Sequence, residues 1–328
     1  MVIHLNSITC QVCSLLVTRK PRQNMSDIER PIDSRLFAVA ILSVTILTFS
    51  ALFNLISVVF LSQPNGLHSF FAAILNYRAI CEIFVTTIIS FFWICRLSYI
   101  RLDDTSTTIL SGFSQVVLTQ TYMLHLTASA NRFIAIYFPT NYDVLFAKKL
   151  LRVATFLGTT LLSIGFVLLL LLDECALRDS QGWTHIINFC GTDQPNTITL
   201  WPLYRLPNIQ KLICFGSIAV DVVTLVRILI LSKNAPNEVS RRNARFFFQI
   251  FTQNTFLAIS VITNMFCQDD LIYNSFVKYW YTSFLYDLSF FVNSIALFMF
   301  NAEIRLKLKK LFTFRAKSFT VVQNLVVE

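Results

Sequence analysis

Seven long apolar runs divide this chain of 328 residues, and they decide what it can fold into. A helix needs about 20 apolar residues to cross ~30 Å of hydrocarbon, because each residue advances the helix by ~1.5 Å. Each run meets that length, and the segments between them are too short for a soluble domain. We therefore predict an all-α integral membrane protein built as a bundle of seven transmembrane helices. The predicted spans are residues 36–61, 69–94, 110–139, 151–172, 212–231, 246–267 and 279–300.

The composition argues against other classes of protein. Hydrophobic residues make up 55% of the chain and charged residues only 14%, whereas soluble proteins are about 25% charged. The formal net charge of +9 lies in the gaps between apolar runs, which fits orientation in a membrane and not a nucleic-acid surface. Cys10 and Cys13 have metal-site spacing, but no second pair or His cluster completes it. The sequence contains no hydrolase, metalloprotease or phosphate-loop motif. We predict no enzyme activity, no cofactor, no metal and no nucleic-acid partner.

The basic residues predict the orientation of the bundle. With the N-terminus outside, the inner segments hold fifteen Lys and Arg residues and the outer connections hold six. Short cytoplasmic loops are enriched in these residues, so we predict an extracellular N-terminus and a cytoplasmic C-terminus. Residues 1–35 are then an extracellular segment, in which Asn24 is a glycosylation acceptor. A start at Met25 is an open alternative that would exclude residues 1–24.

The end of the chain has an amphipathic pattern. After the seven-span domain of residues 36–300, the tail of residues 301–328 places Ile304, Leu308 and Leu311 on one helical face among basic residues. This pattern predicts a short interfacial helix on the cytoplasmic surface, in contact with membrane lipids.

One motif lies at the inner end of the third span. Asn131, Arg132 and Phe133 stand where the apolar run finishes. An Arg at a helix end also serves simply to reach the interface and set topology. The position on the third of seven spans, however, is similar to the Asp-Arg-Tyr lock of rhodopsin-like receptors.

Further motifs resemble the nematode serpentine chemoreceptors, and class X most closely. The stretch LTASANRFIAIYFPTNY, residues 126–142, resembles their third-span signature. Asp221 and Thr224 match their Asp-x-x-Thr pattern on the fifth span, and a Trp lies between two loop cysteines, Cys175 and Cys190. The basic residues before the sixth span also fit; they are Arg241, Arg242 and Arg245. The resemblance covers roughly residues 36–312.

The resemblance implies a rhodopsin-like G-protein-coupled chemosensory receptor. The expected partners are a heterotrimeric G protein and a small-molecule ligand, either an odorant or a secreted metabolite. The expected location is the plasma membrane, with a sensory cilium as the setting. Coupling would involve Asn131, Arg132 and Phe133 together with the three Arg residues before the sixth span. Asn131 departs from the acidic residue of the Asp-Arg-Tyr form, so it cannot pair with Arg132 in the same way.

The loop cysteines are expected to pair. Cys175 and Cys190 both lie in the outer, oxidising segment, where a disulfide would close a loop of about 15 residues. The alternatives are two free thiols or pairing with Cys95 or Cys267, which also lie near outer ends. Cys81 and Cys214 lie within spans and are expected to be packing residues.

Polar residues within the spans need partners, because an ionisable side chain costs several kcal/mol in hydrocarbon. Arg78 and Glu82 are four residues apart and are expected to neutralise each other. The other polar residues within the spans would line a ligand pocket or make polar contacts between helices. With Glu82, these candidates are His125, Asp221, Asp287 and Asn293. The rival hypothesis is a seven-span channel or transporter that uses the intramembrane charges.

Overall fold

A computed structural model describes most of the apolar part of the chain. The described residues are 34–62, 70–98, 100, 102–147, 149–172, 176–180, 183–189, 206–234, 238–268, 284–300, 304–307 and 309. The predicted disulfide cysteines Cys175 and Cys190 and the glycosylation acceptor Asn24 lie outside them.

Seven helices correspond one for one to the predicted spans, so the seven-helix class is confirmed. In chain order, the first to seventh spans are Ser34–Leu61, Phe70–Leu97, Asp104–Tyr137, Lys149–Leu172, Leu206–Asn234, Glu238–Gln268 and Leu285–Phe300. A connecting helix, Pro139–Ala147, follows the third span. A two-stranded antiparallel hairpin follows the fourth, with β1 at Ala176–Ser180 and β2 at Trp183–Phe189. The sequence did not predict this hairpin.

The third span begins and ends for local reasons. Its N-cap is Asp103, whose carboxylate accepts a hydrogen bond from the Ser106 backbone N–H at 3.0 Å. It ends at Phe138, which precedes a proline and leaves the helical region with φ −130° and ψ 58°. Pro139 is then the first residue of the connecting helix. A proline fits this position because the first N–H groups of a helix have no partner within it. The chain therefore turns away directly after the Asn131–Arg132–Phe133 motif.

Six spans form a closed ring. The first packs on the second and the seventh, the second on the third, the third on the fifth, the fifth on the sixth, and the sixth on the seventh. The fourth span lies outside this ring, mainly against the third, where the Gln120 amide bonds both Thr159 Oγ1 and Ser163 Oγ at 2.9 Å. The third span therefore has the most neighbours.

The bundle presents large apolar side chains on its outside and encloses charged and polar side chains among the apolar ones of its core. Leu157 and Leu161 on the fourth span are more than half exposed, while Arg78 and Glu82 are fully buried. By length and apolar composition alone, the first, second, fourth and fifth spans can each cross a membrane. The third span falls short by that measure because its inward face is polar. Its buried polar members include Ser114, Gln120, His125, Ser129 and Asn131.

The two ends of the bundle have different landmarks. The Arg132 end is where the third span finishes, and Phe70 of the second span stacks there on Phe146 of the connecting helix, with ring centroids 4.7 Å apart. The hairpin end is the opposite one, where β1 approaches the third span. At the Arg132 end, residues 304–307 form one helical turn after the seventh span, and the Lys307 ammonium donates to the Phe60 carbonyl at 2.8 Å.

Candidate functional site

A buried polar network lies at the centre of the ring. It joins side chains from every span except the fourth, and each of its members is at most 2% exposed. We call it the central network and define it by its residues: Asn54, Arg78, Glu82, His125, Ser129, Asp221, Gln253, Asn254 and Asn293.

The second span supplies the ion pair of the central network. Arg78 Nε lies 3.4 Å from Glu82 Oε1, which confirms the predicted pairing. Glu82 also accepts hydrogen bonds from Asn54 Nδ2 at 3.0 Å and from Asn293 Nδ2 at 3.5 Å. Arg78 Nη1 donates to Gln253 Oε1 at 2.8 Å. One ion pair therefore holds the first, second, sixth and seventh spans together.

The second half of the network is centred on Asn254 of the sixth span. Its Nδ2 donates to Asp221 Oδ2 at 2.6 Å and to Ser129 Oγ at 2.8 Å. Its Oδ1 lies 2.7 Å from His125 Nδ1. One amide thus connects the sixth span to the third and the fifth. His125 therefore makes a polar contact between the third and the sixth span.

Two adjacent amides carry all of the sixth span's bonds in this network. Besides binding Arg78, Gln253 donates through Nε2 to the Asn293 carbonyl at 2.6 Å. Sequence reasoning missed both Gln253 and Asn254, because neither is charged nor part of a recognisable motif. Their one signal was the position of two consecutive amides inside an apolar run.

The central network is not fully bonded. Several of its buried polar atoms have no hydrogen-bond partner, namely Asn54 Oδ1, Arg78 Nε and Nη2, His125 Nε2, Asp221 Oδ1 and Asn293 Oδ1. A partly satisfied network in a medium of low dielectric constant is held less firmly than a complete one. The arrangement is therefore suited to rearrangement.

Arg132 lies at its own end of the bundle, apart from the central network. Its guanidinium carbon is 3.3 Å from the centroid of the Phe71 ring on the second span. Asn131 instead accepts a hydrogen bond from the Tyr142 hydroxyl of the connecting helix at 3.2 Å. Phe133 stacks on Tyr137, with ring centroids 4.4 Å apart. The three motif residues thus contact three different partners.

An apolar cluster closes the Arg132 end between the third, fifth and sixth spans. Phe247 of the sixth span is fully buried against Ile136 of the third and Ile228 of the fifth. Tyr137 adds a hydrogen bond to the Val223 carbonyl at 3.2 Å. Arg241, Arg242 and Arg245 lie on the first turns of the sixth span, and their side chains are outside what the structure describes.

Asp287 belongs to a second polar group, nearer the hairpin end. It is 2% exposed and lies beside Ser43 of the first span and Trp93 of the second. On the same span, Tyr286 contacts the hydroxyl of Tyr122. The structure therefore separates Asp287 from the other four predicted polar residues, which all meet in the central network.

Within the described residues, the chemistry of these groups does not point to a metal or a reactive centre. No three His, Cys, Asp or Glu side chains there converge on one point. The thiols of Cys81, Cys95 and Cys214 are free and buried.

A groove of about 240 Å³ opens near the Arg132 end, lined by Phe70, Leu126, Thr127, Ala130, Asn131, Ile134, Phe146 and Thr155. Its lining is mostly apolar. It includes Asn131, a predicted coupling residue, and none of the five residues predicted to line a ligand pocket.

The closed helical ring with its polar centre defines the class of this molecule: a seven-transmembrane, multi-pass membrane protein. Residues 44–301 match the family of serpentine type 7TM GPCR chemoreceptors, Srx. The chain belongs to this family and is a seven-transmembrane chemosensory receptor, which confirms the identification made from its motifs. A comparison with curated proteins gave no match.

Proposed function

We propose that this receptor binds a small molecule near the hairpin end and activates a heterotrimeric G protein at the Arg132 end. The observation that carries the proposal is the central network, which connects all six spans of the ring. A change in helix positions at one end must strain these bonds, and the strain is felt at the other end. The proposal needs no chemical reaction, only two arrangements of the same helices.

The orientation follows from charge. The Arg132 end carries the basic connections and tail, so it is the cytoplasmic end, and the N-terminus is extracellular. The receptor is proposed to work in the plasma membrane, with a sensory cilium as its setting. In this orientation the Lys307 contact with Phe60 holds the start of the tail against the inner end of the first span.

The ligand is an odorant or a secreted metabolite, and its site is the polar group around Asp287. That group contains a carboxylate, two tyrosines and an indole on the first, second, third and seventh spans. Small-molecule binding sites combine mostly apolar walls with a few convergent polar groups. A ligand that binds one helix arrangement more tightly than the other shifts the receptor population toward the first. To move the ratio of the two arrangements from 1:99 to 99:1, the binding free energies must differ by ~5.5 kcal/mol.

A disulfide between Cys175 and Cys190 is proposed to brace the hairpin above this site. Ala176, which follows Cys175, pairs with Phe189, which precedes Cys190. This register supports the pairing. Closing a loop of about 15 residues contributes ~3 kcal/mol by the chain-entropy estimate.

The response at the Arg132 end is an opening of the apolar cluster. In the closed arrangement Phe247 fills the space between the third and fifth spans. Moving the sixth span outward would uncover Arg132 and carry Arg241, Arg242 and Arg245 with it. A G-protein α subunit would dock in that opening.

The test is G-protein activation in cells that express the receptor. Dissociation of Gα from Gβγ is followed by resonance energy transfer while a panel of volatile and secreted small molecules is applied. Arg132→Ala is compared with Arg305→Ala, because Arg305 is an exposed basic residue after the seventh span. We expect a ligand response that Arg132→Ala abolishes and Arg305→Ala retains at equal surface amounts. A ligand-evoked current without G-protein activation would support a channel instead.

A further inference from the structure

We propose that a single proton occupies the contact between Glu82 and His125, and that it ties the second span to the third. His125 Nε2 lies 3.8 Å from Glu82 Oε1. Both groups are fully enclosed, with His125 1% exposed and Glu82 0%. The proposal concerns a proton site inside the receptor, and it does not depend on which ligand or G protein the receptor uses.

The hydrogen bonds of Asn254 fix the orientation of the His125 ring. A carboxylate only accepts, so the atom of Asn254 that bonds Asp221 Oδ2 must be its NH₂ group. The carbonyl oxygen of Asn254 therefore faces His125 Nδ1, 2.7 Å away, and Nδ1 must donate. That leaves Nε2 facing the carboxyl group of Glu82. Without a proton there, a lone pair of the ring would point at a carboxylate.

The charges of the network also call for one added proton. The second span contributes Arg78, Glu82 and the thiol of Cys81, the third span contributes His125, and the fifth contributes Asp221. The first, sixth and seventh spans offer only neutral amides, which are Asn54, Gln253, Asn254 and Asn293. Two carboxylates and one guanidinium leave one uncompensated negative charge. An unbalanced charge in a membrane interior is expensive, and one added proton removes it.

The Glu82–His125 contact is the position where that proton has two partners. A proton on Asp221 would balance the charge, but it would leave the lone pair of His125 Nε2 facing the Glu82 carboxylate. A proton between Glu82 Oε1 and His125 Nε2 attracts both, whichever of the two atoms carries it. The second and third spans are then held together while the proton is present. Separation of the two spans would remove its second partner and favour its release.

The experiment observes the His125 ring directly in the purified full-length receptor in lipid nanodiscs. The chain has only four histidines, so the His4→Gln, His68→Gln and His185→Gln changes leave His125 alone. Nitrogen-15 NMR then reports the state of both ring nitrogens at neutral pH. Infrared spectra of the same sample, compared with Glu82→Gln, report a protonated Glu82 carboxyl group. If the triple variant does not fold, the difference between wild type and His125→Gln isolates the same ring signals.

Two results support the proposal. One is a ring protonated on both nitrogens. The other is a ring with Nδ1–H and an accepting Nε2, together with a carboxylic-acid band that Glu82→Gln removes. A ring with Nε2 unprotonated and no Glu82-dependent acid band would overturn it. Because no ligand or G protein is used, this outcome is independent of the test of signalling.

Discussion

Replacing Asn254 by leucine removes the amide that joins the sixth span to the third and the fifth, and keeps the same number of side-chain heavy atoms, branched at the same carbon. Three bonds are lost: one to Ser129 at 2.8 Å, one to His125 at 2.7 Å, and one to the Asp221 carboxylate at 2.6 Å. If activation moves the sixth span outward, these bonds exist only in the closed arrangement. Their loss then destabilises the closed arrangement relative to the open one, and basal signalling rises.

The expected size follows from the bond types. Bonds between neutral groups of neighbouring spans contribute about 0.6 kcal/mol each, and a bond to a charged group contributes ~1.5–3 kcal/mol. The three bonds of Asn254 together are worth about 3 kcal/mol, or roughly a hundredfold in the equilibrium between closed and open states. From a basal ratio of about 1:99, such a change brings the open state to about half of the receptors.

The assay is ligand-free G-protein activation at matched surface density. Thr255→Ala is the matched control, because Thr255 is the next residue and its hydroxyl bonds only the Phe251 carbonyl of its own helix at 2.7 Å. We expect a basal signal tens of times higher for Asn254→Leu than for Thr255→Ala. Equal basal signals from the two variants would refute the idea that the network holds the sixth span closed.

Three further changes test other parts of the structure. Phe247→Ala empties the apolar cluster at the Arg132 end and should raise basal G-protein activation several-fold, whereas Phe248→Ala, on the exposed neighbour, should not. Arg78→Leu strands the Glu82 carboxylate and should cost about 3–5 kcal/mol of stability, seen as a lower melting temperature in nanodiscs; the double Arg78→Leu/Glu82→Leu variant should recover much of it. Equal melting of the single and double variants would contradict this pairing. Cys175→Ser should lower the melting temperature in non-reducing buffer only, and an equal loss under reducing conditions would argue against the disulfide.

The spans could be predicted from the sequence because hydrocarbon imposes one length on every crossing helix. Each predicted span overlaps its observed helix, and the Arg78–Glu82 pair followed from a spacing of four residues. The third span shows the limit of hydropathy. Its inward polar face lowers its mean hydropathy although it is the most surrounded helix of the ring, so burial by neighbouring helices and not apolarity keeps it in the membrane.

The partners of the polar residues could not be predicted, because they depend on the order of helices around the ring. Asp221 and Asp287 looked alike in the sequence, as single acidic residues within apolar runs. The structure gives Asp221 an amide from the sixth span and gives Asp287 a hydroxyl and an indole from the first and second. Asn254 showed only that an amide lies inside an apolar run, and an amide becomes a connector only when other helices, here the third and the fifth, present partners to it.

The place of the central network limits how the two ends of the receptor can communicate. The fourth span takes no part in it and bonds mainly through Gln120 of the third. Any signal between the hairpin end and the Arg132 end must therefore pass through the ring. Within the ring, the sixth span is attached to the network by two adjacent side chains, Gln253 and Asn254, which bind four other spans between them. A small rotation of the sixth span would weaken both sets of bonds at once, because the two amides share one turn. That arrangement favours a two-state response over a gradual one.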